Sequence, residues 1–207
     1  MCSVIGIKLK NPNLDLVREI FLQSRIRGMH ATGVTYYKNK KLHTIKDPIP
    51  ADKFINKYDF SEFVDKDQLN LIGHCRYSTS DLEYNQPMTS KNFSIVHNGV
   101  VTQELPENWN TLYDVSCETK NDSELLVHTL ENEEDPLEKW KNSSISMVSI
   151  DSSGNIMYTR NGKRPLWVWK SKKDFIVTST RNIAIRAGLN NPKRVDYNGN
   201  DLQPFFN

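Results

Sequence analysis

Three polar clusters interrupt apolar runs of the chain, and a cysteine stands at the second position. The clusters span residues 73–79, 96–99 and 121–124. A small residue after Met1 allows the initiator methionine to be removed, so Cys2 would become the first residue. It would then carry both a thiol and a free α-amine. Because α-amines have a reference pKa of roughly 7.7–8.0, such an amine can take the thiol proton near neutral pH. The position predicts a nucleophile with its own base.

Each cluster also has a purely structural interpretation. Arg76 could be a surface charge at a strand end, Asn98-Gly99 is a common hairpin-turn sequence, and Asp122 could cap a helix. The histidines of the first two clusters could satisfy hydrogen bonds in a core. Together with Cys2, however, the clusters supply a nucleophile, an oxyanion donor pair, a cation and an anion. Cleavage of an amide that carries a zwitterionic amino-acid head group requires that set.

The order of these motifs resembles the glutaminase domain of class II glutamine amidotransferases, which are N-terminal-nucleophile hydrolases. The matching segments follow the family order over nearly the whole chain: residues 1–6, 27–33, 73–79, 85–87, 96–99, 121–124 and 162–166. The resemblance implies an α+β fold, a four-layer αββα sandwich with two antiparallel sheets. It also implies that residues 1–207 form a single glutaminase domain.

The resemblance assigns the catalytic roles to three residues. Cys2 would attack the side-chain amide carbon of glutamine. Asn98, through its side-chain NH2, and Gly99, through its backbone N–H, would hold the oxyanion. Ammonia would leave, and water would hydrolyse the γ-glutamyl thioester on Cys2 to glutamate.

Five more residues receive substrate-binding roles from the same resemblance. Arg76 would pair with the α-carboxylate of glutamine, because a planar guanidinium suits a carboxylate. Asp122 would bind the α-ammonium group, and Thr79 would line the same pocket. Arg27 would help to place the nucleophile. Tyr77, which stands where the family usually has tryptophan, would keep an aromatic wall.

Composition excludes several other classes of protein. The chain has 207 residues, and its 27 basic and 25 acidic residues give a net charge of +2, which does not favour a nucleic-acid partner. It contains neither an apolar run of about eighteen residues nor a secretory leader, so we expect no membrane contact and a cytoplasmic location. Its three cysteines form no C-x-x-C pair, so we expect no metal site and no cofactor.

The surrounding pattern predicts the elements that position these residues. Strands are predicted over residues 2–9, 71–79 and 93–101, and a helix over residues 14–27 that Gly28 ends. Asn121 or Asp122 is expected to cap a second helix, and Asp135 a third. Hairpins are predicted over residues 33–45, 145–159 and 166–179, and a last short helix over residues 181–187. Strands outnumber helices and the helices lie between groups of strands, which indicates an α+β fold.

Three functional hypotheses follow. The first is a glutaminase that delivers ammonia to a separate acceptor or synthase subunit, because no synthase module follows residue 207 in this sequence. The second is a stand-alone hydrolase of γ-glutamyl or related linear amides. The third is a catalytically idle regulatory domain. The first hypothesis is preferred, since every predicted reactive group is present.

Overall fold

The computed structural model describes residues 1–78 and 83–196, which form strands and helices in alternating groups. The strands are β1 (Ser3–Lys10), β2 (Ala31–Lys38), β3 (Lys41–Asp47), β4 (Gln68–Arg76), β5 (Met88–Thr89), β6 (Phe93–His97), β7 (Ser146–Asp151), β8 (Ile156–Arg160), β9 (Trp167–Ser171), β10 (Asp174–Thr178) and β11 (Lys193–Arg194). The helices are α1 (Leu14–Ser24), α2 (Ala51–Lys57), α3 (Trp109–Tyr113), α4 (Ser123–Glu131), α5 (Pro136–Lys139) and α6 (Arg181–Arg186).

The described strands form two antiparallel sheets. One sheet has seven strands in the order β11-β9-β10-β1-β4-β2-β3, and the other has four in the order β5-β6-β7-β8. Three apolar clusters separate four layers. The first joins α1, α2 and α6 to the larger sheet, the second joins α4 to the smaller sheet, and the third lies between the sheets. The predicted αββα sandwich with two antiparallel sheets is confirmed.

Strand β1 lies in the middle of the larger sheet, and its two faces serve different layers. Ile5, Ile7 and Leu9 pack into the helix-side cluster, whereas Val4 packs between the sheets. This is the alternation expected of a strand buried on both faces. Gly6 lies on the Val4 face, and a Cβ there would be 2.8 Å from Cγ1 of Val148 in β7. Glycine at this position therefore permits close contact between the sheets.

Helix α1 buries one face against the larger sheet and leads into the site. Its N-cap is Asn13, whose Oδ1 accepts hydrogen bonds from the amides of Asp15 and Leu16 at 3.0 and 3.2 Å. Phe21 is fully buried, and truncating such a side chain to alanine typically costs about 3–5 kcal/mol of stability. The helix tightens at its end into a 3₁₀ turn over Arg25–Arg27, so the predicted helix over residues 14–27 has a change of geometry in its last turn.

Some predicted boundaries were wrong. The strand predicted over residues 71–79 ends at Arg76, and the strand predicted over residues 93–101 ends at His97. Both strands end inside the polar clusters, and Arg76, Asn98 and Gly99 line a cleft there. Helices α2 and α3 were not predicted, since their seven and five residues are too short to show a clear helical period.

No helix within residues 1–78 and 83–196 combines the length and the apolar character needed to cross a bilayer. The predictions of a cytoplasmic location and of one domain over residues 1–207 stay predictions.

Candidate active site

The ends of β1, β4 and β6 meet at a cleft of about 560 Å³. Its walls include five of the predicted site residues: Cys2, Arg76, Asn98, Gly99 and Asp122. These residues come from four separate parts of the sequence. The fold therefore brings the predicted nucleophile, oxyanion donors and both charged groups into one cavity.

Strand register explains this convergence. Ser3 pairs with Cys75 across β1 and β4, so Cys2 lies next to Arg76 at the same end of the sheet. Side chains alternate between faces along a strand. Arg76 is thus on the same face of β4 as Ile72, which packs between the sheets. Cys75 points the other way into the helix-side core and is fully buried, so it packs there as a small apolar side chain.

The Cys2 backbone and thiol are held by two different neighbours. Arg27 Nε donates a 3.1 Å hydrogen bond to the Cys2 carbonyl oxygen, and the Cys2 Sγ lies 3.9 Å from the Tyr77 carbonyl oxygen. Burial lowers the pKa of Arg27, and the neighbouring Cys2 acts in the opposite direction. The Arg27 guanidinium also contacts Met1 Sδ at 3.7 Å, so this arginine fixes the first two residues of the chain.

Asn98 and Gly99 do not form a hairpin turn. The amide of Asn98 donates to the Ser146 carbonyl oxygen at 2.9 Å and that of Val100 to the Ser144 carbonyl oxygen at 3.1 Å, so pairing with the β7 side continues past β6. A Cβ at Gly99 would lie 1.7 Å from the Ser144 oxygen, which only glycine avoids. The Asn98 Nδ2 is buried and has no hydrogen-bond partner among the described residues. A buried donor without a partner is costly and calls for an explanation.

Arg76 is anchored on one side by the segment that follows the polar cluster. Its Nη1 donates to the Tyr84 carbonyl oxygen at 2.9 Å and to Asn85 Oδ1 at 2.8 Å. Asn85 belongs to the 85–87 motif, to which the sequence analysis assigned no role. The contact shows that this motif orients the guanidinium at the cleft.

The capping of α4 leaves Asp122 available to the cleft. Asn121 Oδ1 accepts the hydrogen bond from the Ser123 amide at 3.1 Å, whereas Asp122 makes no side-chain cap bond. Of the two predicted caps, Asn121 is therefore the one that acts. Asp122 Oδ2 instead accepts from the Val101 amide at 2.6 Å, which ties the start of α4 to the segment after the predicted oxyanion donors.

Gln86 supports the end of β6 and was missed as a site residue. Its Oε1 accepts from the His97 amide at 2.5 Å and its Nε2 donates to the His97 carbonyl oxygen at 3.1 Å. The His97 ring contacts Ser123 Oγ at 2.9 Å, at the start of α4. The signal that could have found Gln86 is a polar residue that precedes proline between two buried strands.

Both histidines near the cleft have lowered pKa values. Burial lowers the pKa of His74 to about 3, and the positive charge of Arg76 acts in the same direction. Burial also lowers the pKa of His97. A ring with such a low pKa is a weak base for the Cys2 thiol and does not form the cationic partner that would lower the pKa of that thiol.

The remaining predicted residues lie apart from the Asn98 side of the cleft. Arg27 and the Tyr77 side chain line a neighbouring cavity of about 410 Å³, which includes Ile26. The Tyr77 ring packs on His30, with 4.9 Å between the ring centroids. Met1 lines both cavities and is 67% exposed. Thr79 lies outside the described residues.

A larger cavity of about 810 Å³ adjoins the cleft and shares Val100, Thr102 and Arg164 with it. It contains neither Cys2 nor the two predicted oxyanion donors. Volume alone would select this cavity, but the predicted nucleophile and oxyanion donors line the smaller one.

Comparison of the sequence with known protein families shows which family this chain belongs to. Residues 74–186, more than half of the chain, match the sequence model described as a glutamine amidotransferase domain. The chain belongs to this family. The match confirms the class II resemblance and places the chain among enzyme domains.

Two curated relatives are glutamine–fructose-6-phosphate aminotransferases (isomerizing). The one from Oceanobacillus iheyensis is 23% identical over 190 residues, and the one from Streptococcus pyogenes is 25% identical over 185 residues. Each match covers 81% of this chain. The chain spans only 30% of the length of either relative.

Solved structures share the fold. The glutamine phosphoribosylpyrophosphate amidotransferase from B. subtilis, complexed with ADP and GMP, aligns with a TM-score of 0.70 at 20% identity and covers 94% of this chain and 44% of its own. A glutamine aminotransferase class-II domain protein from Silicibacter pomeroyi aligns with a TM-score of 0.52 at 13% identity, over 95% of this chain and 92% of its own.

Proposed function

We propose that this domain hydrolyses the side-chain amide of glutamine through a thioester on Cys2. The observation that carries the proposal is the Asn98 Nδ2, a buried donor without a described partner that lies in the same cleft as Cys2. An oxyanion hole needs a donor that is already held in place and free to bind the charge that develops during the reaction, and Asn98 Nδ2 meets this requirement. The unpaired donor also argues against the idle regulatory hypothesis.

The proposed reaction begins with removal of Met1, which frees the α-amine of Cys2. That amine takes the thiol proton, the sulfur attacks the amide carbon, and the carbonyl oxygen becomes an oxyanion held by Asn98 Nδ2 and the Gly99 amide. The amine returns the proton to the departing nitrogen, which leaves as ammonia. Water then attacks the thioester, which releases glutamate and restores the thiol. This route needs no cationic histidine, in agreement with the lowered pKa values of His74 and His97.

Charge complementarity selects an amino-acid head group. Arg76 uses Nη1 for Tyr84 and Asn85, and a guanidinium has five N–H donors, so further donors serve the substrate α-carboxylate. Asp122 uses Oδ2 for the Val101 amide and offers its carboxylate to the α-ammonium group. A cation and an anion on opposite substrate groups fix the direction in which the γ-amide points.

The second part of the proposal is an acceptor that consumes the ammonia. The curated relatives are named as aminotransferases of fructose 6-phosphate, and this chain spans only 30% of their length. We infer that an acceptor uses the nitrogen here too, on a separate subunit, as the sequence analysis predicts, or in a longer chain. Glutaminase activity that is full in the isolated domain and unchanged by any partner would contradict this part alone.

Mass spectrometry of the intact protein after treatment with a glutamine-analogue electrophile tests the central step. We expect loss of Met1 and one label on Cys2, both in the same molecules. Cys2→Ala should abolish labelling and glutamate release, and Cys117→Ser, which removes another incompletely buried thiol, should keep both. Full activity in protein that retains Met1, or a label on another residue, would refute the mechanism.

Substrate range separates glutamine from the stand-alone amide-hydrolase hypothesis. Rates of ammonia release from glutamine are compared with rates of amine release from γ-glutamyl conjugates. We expect glutamine to have the higher kcat/KM. A preference for the conjugates would favour the alternative hydrolase while leaving the Cys2 chemistry in place.

A further inference from the structure

A second cluster of reactive side chains lies at the outer side of α4. Among the described residues, Cys117, Glu124 and His128 form a group of three whose sulfur, carboxylate and ring-nitrogen atoms all lie within 4.8 Å of one another. Glu124 and His128 are one turn apart on α4, and Cys117 reaches them from the segment that follows α3. None of the three lines the cleft that contains Cys2 and Asn98.

The spacing suits a small tetrahedral metal ion. Zinc binds thiolate at about 2.3 Å and imidazole or carboxylate at about 2.0–2.2 Å, which places tetrahedral ligand atoms about 3.3–3.8 Å apart. Glu124 Oε1 and His128 Nε2 are already 3.5 Å apart. Residues four apart on a helix lie on the same face, so the helix places these two side chains side by side. The Cys117 sulfur needs a shift of about 1 Å at most to complete the third vertex.

The surroundings support the carboxylate as a ligand. Glu124 Oε1 accepts from the Glu118 amide and Oε2 from the Thr119 amide, each at 2.7 Å. These bonds fix the carboxylate plane, as outer hydrogen bonds do in protein metal sites. Cys117 and His128 are only partly buried, and Cys117 lies on a surface cavity of about 470 Å³. Solvent can thus deliver an ion and supply a water as fourth ligand.

We infer that Cys117, Glu124 and His128 bind one zinc-type divalent cation, with water as the fourth ligand. Thiolate and imidazole together select borderline-soft ions such as Zn²⁺ over Mg²⁺ or Ca²⁺. A thiolate and a carboxylate neutralise the two positive charges, so the ion can be held beside the buried Glu124. The sequence analysis expected no metal site because the cysteines lack C-x-x-C spacing, and this set uses only one cysteine.

Bound metal would brace the substrate-binding end of α4. The segment from Cys117 to Asn121 leads directly to Asp122, and Asn121 Nδ2 donates to the Tyr84 carbonyl oxygen, which also accepts from Arg76. Metal binding is therefore expected to stabilise the protein and the geometry of its charged subsite without taking part in the reaction.

Co²⁺ binding tests the inference, because Co²⁺ occupies zinc-type sites and absorbs visible light. The protein carries Cys2→Ala, since an amino-terminal cysteine is itself a chelator. We expect one Co²⁺ per chain, a sulfur-to-cobalt charge-transfer band, and displacement by Zn²⁺. Cys117→Ser should remove the band, and His128→Ala should weaken binding about 100-fold or more. His43→Ala, a histidine change far from the cluster in sequence, should leave binding unchanged.

Thermal unfolding provides the second measurement. At a Zn²⁺ concentration near 100 times Kd, Tm should rise by about 5–10 °C. A chelator should reverse the rise, and Cys117→Ser should prevent it. A spectrum without a sulfur band, binding that survives both Cys117→Ser and His128→Ala, or an unchanged Tm would show that hydrogen bonds alone hold this cluster together. Glutaminase labelling at Cys2 is independent of each of these results.

Discussion

Asn98→Ala separates catalysis from stability in this domain. The Asn98 side chain is 5% exposed, and its Nδ2 has no described partner in the resting protein. Truncation therefore breaks no hydrogen bond of that nitrogen, and it removes an unpaired buried donor whose burial costs about 1–3 kcal/mol. The backbone amide keeps its 2.9 Å bond to Ser146. Since lost packing offsets the gain, we expect the free energy of unfolding to change by no more than about 1 kcal/mol.

The effect on the reaction should be much larger. Loss of one oxyanion donor typically lowers kcat by about 10²–10³, which corresponds to about 2.7–4 kcal/mol of transition-state stabilisation. The oxyanion exists only in the transition state and the tetrahedral intermediate. kcat and kcat/KM should therefore fall together, and KM should change little.

The assay measures initial rates of glutamate and ammonia formation over a range of glutamine concentrations, with thermal unfolding on the same samples. Asn190→Ala, which changes an exposed asparagine, is the matched control and should behave like the parent protein. A kcat for Asn98→Ala within about threefold of the parent value would refute the assignment of Nδ2 as an oxyanion donor. So would a loss expressed only in KM.

Three other changes test the surrounding structure. Arg76→Lys should lower kcat/KM for glutamine about 10–100-fold, mainly because KM rises. Lysine cannot bind a carboxylate through two N–H groups of one planar side chain. Steady-state kinetics measure this change. Gly99→Ala should lower both activity and Tm, since its Cβ would lie 1.7 Å from the Ser144 oxygen and overpacking costs about 1–3 kcal/mol; an unchanged Tm would contradict the contact. Burial raises the pKa of Glu124, but hydrogen bonds from His128, Thr119 and Glu118 outweigh it and lower the pKa to about 2, from an ordinary 4.5. The ionised Glu124 carboxylate therefore adds about 2–3 kcal/mol to the free energy of unfolding above pH 4.5, and this contribution is lost as the pH falls toward 2. In Glu124→Gln, the free energy of unfolding measured with urea should depend less on pH between pH 4.5 and 2. A chelator is present in both proteins so that no metal ion contributes.

Much of the fold was predictable because strands and helices here have distinct periods. The Val- and Ile-rich start of the chain forms β1, and the apolar face of residues 14–24 forms α1. The exact ends of β4 and β6 were not predictable from apolar runs. Arg76 still pairs with Ala31 and the Asn98 amide still bonds to Ser146, and both residues line the cleft at which the regular strands stop. The position of a strand end at a cleft depends on tertiary contacts and not on local preference.

The site was only partly predictable for a related reason. The residues that carry charge or a nucleophile could be identified by type and order. Gln86 and Ser123 could not, because their contribution is a hydrogen bond to His97 from distant segments. Asp122 shows the same limit: both it and Asn121 fit an N-cap, and the geometry of the segment before α4 decides that Asn121 accepts the bond.

The same apolar layer that joins the sheets also sets the spacing of the proposed catalytic groups, Cys2 and Asn98. Val4 and Val96 are fully buried between the sheets, and two residues further along the same strand faces lie Cys2 and Asn98. Every second side chain of a strand points to the same face. Cys2 and Asn98 therefore continue the rows of side chains that begin in the core with Val4 and Val96. The cleft is thus the open end of the layer between the sheets. Its polar side chains sit where that layer reaches solvent, so their spacing is set by sheet packing.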